Sequence, residues 1–150
     1  MNQSPGISFK AIVIGALTDV GGSMVTGIVA AAILGISLAR QGVPESDVEA
    51  RLIESAQSPA VLIGILVVGL GFSFLGGFIA GRIAKSGQVI HAGMAGAVAV
   101  FLGLLLLGRP DITDEVSAGI VESLPVWFDA LSYLLVVPTA MLGGYVAKQQ

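Results

Sequence analysis

Four long apolar stretches constrain the fold of this chain more than any other feature of its sequence. Each is long enough to cross a bilayer, because about 20 apolar residues at a rise of about 1.5 Å span a hydrocarbon core of about 30 Å. The pattern predicts one domain over 1–150, an all-α, polytopic membrane protein with four transmembrane helices. The predicted spans cover residues 10–39, 59–81, 89–108 and 126–147.

The composition of the chain agrees with a membrane class and excludes several kinds of site. Apolar residues make up 55% and charged residues 11%, whereas soluble domains carry about 25% charged residues. Too little sequence lies outside the spans to fold a soluble enzyme domain. With no cysteine and one histidine, the chain lacks a ligand set for catalytic zinc, haem or an iron–sulfur cluster. We therefore expect no enzyme activity, no cofactor, no metal and no nucleic-acid partner.

The charges of the segments between the spans alternate in sign. The two longer connections hold eight acidic residues and three arginines, whereas the other segments hold basic residues and no acid. Lys and Arg favour the cytoplasmic side, so we expect both termini in the cytoplasm, with the inverted orientation as the alternative. The order of the segments predicts two like-oriented hairpins. The basic residues in the segments without acids are Lys10, Arg82, Lys85 and Lys148.

Both acidic connections contain helical patterns. In the first, Ser46 and Glu49 have the spacing of a capping box. In the second, Val116, Ile120 and Leu124 recur at helical spacing. We predict two short amphipathic helices on the outer face. They either cap the bundle or form an acidic surface for a basic partner or for cations.

Glycines within the spans predict where helices approach each other closely. Apolar attraction between helices is weak in lipid, so small residues four apart hold helices together by close contact. Such contacts are expected either inside one bundle or on a face that pairs with another subunit. The predicted contact glycines are Gly76, Gly77, Gly81, Gly93, Gly96, Gly143 and Gly144.

Asp19 is the only acidic residue of the first span. A carboxylate inside a membrane costs about 2.5–3.5 kcal/mol on insertion scales, so it suggests a function. One interpretation pairs it with Arg82 or His91, and another has it bind a proton or cation during transport. In a third it is protonated, or bonded to a hydroxyl of its own helix: Thr18, Ser23 or Thr26.

A polar cluster is predicted on the inner side, formed by Arg82, Lys85 and His91. A single histidine beside a basic turn is more typical of an interfacial or packing role than of a metal ligand. An enzyme that acts on lipid through His91 and Arg82 is the least supported hypothesis.

The string Gly76-Gly77-Phe78-Ile79-Ala80-Gly81-Arg82, followed by His91-Ala92-Gly93, resembles a motif of small four-helix membrane proteins of bacteria and archaea. These proteins carry a GG-aromatic-x-A-G-R turn and a nearby H-x-G, and no function is established for them. The resemblance covers about 20 residues closely and implies the four-helix topology in a prokaryotic cell (inner) membrane, without an activity.

Together these patterns predict a non-enzymatic integral membrane protein that acts by helix association. It would work as a homo-oligomer or as an accessory subunit of a membrane complex, with the lipid bilayer and other membrane subunits as its partners. The alternative is a small channel or transporter for protons or cations centred on Asp19.

Overall fold

The computed structural model describes residues 6–107 and 124–150, which form five helices. Four of them are long and apolar enough to span a membrane, namely all but the second. The helices are α1 (Phe9–Arg40), α2 (Glu45–Ala56), α3 (Pro59–Ala84), α4 (Gln88–Leu107) and α5 (Val126–Lys148). The predicted spans are confirmed as helices, and the predicted helix over Val116 and Ile120 lies outside the described residues.

Serine side chains cap two of the membrane-length helices. The Ser8 hydroxyl accepts a hydrogen bond from the Ala11 N–H at 3.4 Å, and the Ser58 hydroxyl accepts one from Val61 at the same distance. These bonds satisfy backbone donors that a helix start leaves without partners. Pro59 follows Ser58 at the first helical position, where a missing N–H costs nothing.

Helix α3 continues to Ala84, three residues beyond the predicted end at residue 81. Arg82 ends the apolar stretch but not the helix, because a cation in the last turn interacts favourably with the helix dipole. The helix stops at Lys85, whose φ of 57° lies in the left-handed region, and Gly87 follows with φ of 59°. This turn leads directly into α4.

The predicted capping box at the start of α2 is wrong. The helix already begins at Glu45, and Pro44 occupies the capping position with extended backbone and ψ of 144°. Ser46 therefore lies within the first turn, and its hydroxyl donates to Asp47 Oδ1 at 3.0 Å. Proline fixes φ near −65°, so it presets the backbone for a helix that starts one residue later.

Helices α3 and α4 contact each other, and each of them also contacts both α1 and α5. Helices α1 and α4 begin at the end of the bundle where α3 and α5 finish. Two long-range bonds show this alignment: Ser8 N–H donates to His91 Nε2 at 2.9 Å, and the Arg82 guanidinium donates to Gln150 Oε1 at 3.1 Å. We call this the closed end. The opposite end, with Arg40 and Pro59, is the open end.

Small residues fill the centre of the bundle, and large apolar side chains face outward. Ala11, Ala80 and Ala92 are fully buried, whereas Ile28 and Ile33 are more than 60% exposed. This distribution is typical of membrane helices, because lipid covers large apolar side chains and small residues allow close helix packing. The fold is thus an all-α helical bundle with four candidate membrane spans.

Candidate functional site

Asp19 lies inside the bundle and is hydrogen-bonded to α3. The Ser73 hydroxyl lies 3.0 Å from Asp19 Oδ1, to which it can donate, and 3.2 Å from the carbonyl oxygen of Gly69. Asp19 is 7% exposed and Ser73 only 1%. Asp19 lies ten residues after Phe9, which is about 15 Å along the helix at about 1.5 Å per residue. The Asp19–Ser73 pair therefore lies well inside the bundle, away from the closed end.

The partners expected for Asp19 from sequence are not the ones it has. It is hydrogen-bonded to neither Arg82 nor His91: Arg82 donates to Gln150, and the His91 ring is bonded to Ser8 and Gly87. The hydroxyls of Thr18 and Thr26 donate to the backbone carbonyls four residues earlier, at 2.8 and 2.9 Å. That choice satisfies each hydroxyl within α1 and leaves the carboxylate to a donor from another helix.

One oxygen of Asp19 has no partner. Among the described residues, Asp19 Oδ2 is the buried side-chain polar atom without a hydrogen bond. Two cavities, of about 180 and 260 Å³, are lined by Asp19, and Ser23 and Val136 also line both of them. An unpaired buried oxygen costs the free energy of its lost hydration, so this atom is suited to a proton, a water or a ligand.

Both cavities lie on the open-end side of Asp19. The first lies between α1, α3 and α5, and Ile65, Gly69 and Phe128 form part of its wall. The second lies between α1, α4 and α5, with Gly103 and Tyr133 in its wall. Their linings are mostly apolar. The polar side chains around them are Asp19, Ser23, Ser73, Ser132 and Tyr133.

Between Asp19 and the closed end, α3 packs against α5 through glycine. A Cβ added at Gly77 would overlap the backbone of Ala140, and one at Gly143 would overlap the backbone of Phe74 and lie 2.7 Å from the Phe78 nitrogen. The two helix backbones therefore touch without side chains between them.

The other predicted contact glycines also lie against neighbouring helices. A Cβ at Gly76 would lie 2.5 Å from the Gly15 carbonyl oxygen of α1, and one at Gly81 would lie 2.9 Å from the Ala147 Cβ of α5. The remaining three, Gly93, Gly96 and Gly144, lie where α4 and α5 face each other. An added Cβ would meet Met141 at Gly93, Ala140 at Gly96 and Ala92 at Gly144. All seven predicted contact glycines thus lie against a neighbouring helix of the same chain.

The predicted inner-side residues share the closed end but do not converge on one site. His91 is 3% exposed and has both ring nitrogens engaged, with Nε2 accepting from Ser8 N–H and Nδ1 lying 2.9 Å from the Gly87 carbonyl. Because a carbonyl can only accept, Nδ1 carries the proton and the ring is neutral. Arg82 lies 6.0 Å from the Phe78 ring centroid, and Lys85 is exposed at the turn.

Ser73 and Ser132 line the first cavity together with Asp19, and the sequence patterns did not predict either serine as its neighbour. A signal was present, because each is a polar residue inside an otherwise apolar stretch. Whether either serine lies on the helix face toward Asp19 depends on how the helices pack. Within residues 6–107 and 124–150, no three His, Asp or Glu side chains lie close enough to hold a metal ion.

The class of protein follows from the four apolar helices and their packing: a multi-pass membrane protein built as a helical bundle. Comparison with models of protein families, with curated proteins and with solved structures finds no match to this chain.

Proposed function

We propose that the chain is a non-enzymatic protein of the cell membrane that acts by association, as a homo-oligomer or as an accessory subunit. In this proposal α1 with α3 and α4 with α5 form two like-oriented hairpins, and both termini lie in the cytoplasm. Lys10, Arg82 and Lys148 at the closed end support that orientation. Helix α2, with acidic Glu45 and Asp47 in its first turn, then lies on the outer face.

One observation carries the association proposal: the second half of α1 presents small residues along a surface groove, and none of the other described helices packs closely on its glycines. Gly27 and Ala31 are four residues apart, exposed, and line a groove beside α2 and α3, and Gly35 follows at the same spacing and is half-buried. A Cβ at Gly27 or Gly35 would meet no atom within 4 Å. Small residues at this spacing let a second helix approach closely in lipid. The contact glycines of the closed half are already occupied, so this stripe is the better candidate for a partner.

The experiment measures the mass of the particle in native nanodiscs together with the chains that co-purify. We expect a homo-oligomer, or a foreign subunit in fixed ratio, that is lost in the Gly27→Leu and Gly35→Leu variants. The control is Gly64→Leu, because Gly64 is an exposed glycine of α3 that also has no neighbour. A lone protomer of 15.2 kDa in the wild type would refute association.

Transport of protons or cations is a second candidate. The observation that favours it is the unpartnered Asp19 Oδ2 beside two cavities. In this case Asp19→Asn abolishes flux into liposomes and leaves the assembly unchanged. Flux that survives Asp19→Asn excludes a transport role for this residue.

A further inference from the structure

The two halves of the bundle differ in how closely the helices pack around Asp19. Toward the closed end, α1 and α3 touch through backbone: a Cβ at Gly15 would lie 2.7 Å from the Gly76 carbonyl oxygen and 3.0 Å from the Ala95 Cβ. Ala80 and Ala95 beside it are 0% and 2% exposed. The helices therefore leave no room for a methyl group at Gly15, and a water molecule needs about as much space, so this packing seals Asp19 from the closed end.

Toward the open end, the same helices separate. The cavities of about 180 and 260 Å³ begin at Asp19 and extend past Ser23 toward the start of α5 and the end of α4. Each has room for several water molecules, and a water needs two or more polar partners to stay in such a space. Asp19, Ser23 and Ser132 supply these partners in the first cavity.

We propose that Asp19 Oδ2 is a proton-binding site that exchanges protons with the open end of the bundle and is sealed from the closed end. In the protonated form Oδ2 gains a hydrogen that a cavity water or the Ser23 hydroxyl can accept, while Ser73 continues to donate to Oδ1. The step transfers one proton from water to the carboxylate and leaves the carboxyl group neutral. It concerns binding and access, and therefore depends on neither association nor transport.

The ligands around the carboxylate favour a proton over a metal cation. Calcium takes six to eight oxygen ligands and magnesium an octahedral set. The two cavities offer one carboxylate and four hydroxyls, and the hydroxyls of Ser132 and Tyr133 line different cavities. The rest of the lining is mostly apolar. A proton needs no such shell and removes the charge that a carboxylate carries into hydrocarbon.

Among residues 6–107 and 124–150, few other titratable groups face Asp19. On α5, Tyr133 lines the second cavity and Asp129 lies one turn before it. The residues of α3 and α4 in the two linings carry no titratable side chain. On α1, Lys10 is nine residues away, about 13 Å along the helix. A titration inside the bundle can therefore be assigned with variants at three positions.

The first test follows protonated carboxyl groups by infrared difference spectroscopy of the reconstituted full chain as pH changes. We expect a carboxylic-acid band that is lost in Asp19→Asn, is retained in Asp129→Asn and Tyr133→Phe, and does not move with added Na⁺ or K⁺. The proposal is overturned if Asp19→Asn loses no band. A band whose titration shifts with Na⁺ or K⁺ overturns it too, because a metal cation then competes for the site.

The second test measures access, and the absence of native cysteine makes it direct. Single-cysteine variants in vesicles are treated with a small membrane-impermeant thiol reagent on one side at a time. Gln150→Cys, exposed at the closed end, identifies the sides. We expect Ser132→Cys to react from the open-end side only, and Ala95→Cys from neither. Reaction of Ser132→Cys from the closed-end side, or of Ala95→Cys from that side, refutes the seal.

Discussion

Adding one methyl group at Gly15 tests whether the closed half is packed through backbone. Three helices meet at this residue, and an alanine there would place its Cβ 2.7 Å from the Gly76 carbonyl oxygen of α3 and 2.8 Å from the Ala80 Cβ. The first distance is 0.7 Å short of the 3.4 Å at which ordinary contact begins. The obstacle is backbone, which cannot rotate away, so α1 and α3 must separate.

The cost can be estimated from comparable substitutions. Forcing extra methyl or methylene groups into a well-packed core destabilises proteins by about 1–3 kcal/mol. For a chain of about 150 residues, each kcal/mol lowers the midpoint of thermal unfolding by about 2–4 °C. The matched control is Gly64→Ala, because nothing lies within 4 Å of a Cβ at Gly64. That change should raise stability by as much as about 1 kcal/mol through helix propensity.

The assay is the temperature at which half of the detergent-solubilised protein is lost from the folded peak in size-exclusion chromatography. We expect Gly15→Ala below the wild type and Gly64→Ala at or above it. If both variants unfold at the wild-type temperature or above, α1 and α3 do not touch at Gly15. The packing would then not seal Asp19 from the closed end.

Two further predictions concern helix starts. Ser58→Ala should lower the unfolding free energy by about 0.5–2 kcal/mol because it removes the cap of α3. The control Ser46→Ala should leave the unfolding free energy unchanged, since that hydroxyl caps no helix. Thermal unfolding of both variants tests this prediction. His91→Ala removes the acceptor of the N–H of Ser8, the residue just before α1. It should therefore speed hydrogen exchange in the first turn of α1, measured by mass spectrometry. Lys85→Ala, at the exposed turn, serves as its control, and equal exchange in both variants would contradict the role of His91.

Hydropathy predicted the membrane helices well because their apolar residues occur in unbroken runs. It placed the end of α3 too early, since it treated Arg82 as a boundary although a cation stabilises a last helical turn. The capping-box pattern failed for a different reason. Ser46 and Glu49 have the required spacing, but the chain had already entered a helix after Pro44.

The neighbours of Asp19 could not be predicted from spacing along the chain. Ser73 is 54 residues away, and it reaches Asp19 only because Gly15 and Gly76 fix how α1 lies along α3. A glycine pattern indicates that helices come close, but it does not say which pair does so or in what register. That information is set by the packing of all four long helices together.

The helices of this bundle differ in length, so the thickness of the membrane decides how much of the longest helix lies in hydrocarbon. At about 1.5 Å per residue, α5 with 23 residues spans about 35 Å and α1 with 32 residues about 48 Å. A bilayer that fits α5 leaves Ile33 and Ile36 of α1, both more than half exposed, beyond its hydrocarbon unless α1 tilts. A thicker bilayer covers them. The host membrane therefore decides how much apolar surface of α1 is left for another protein to cover.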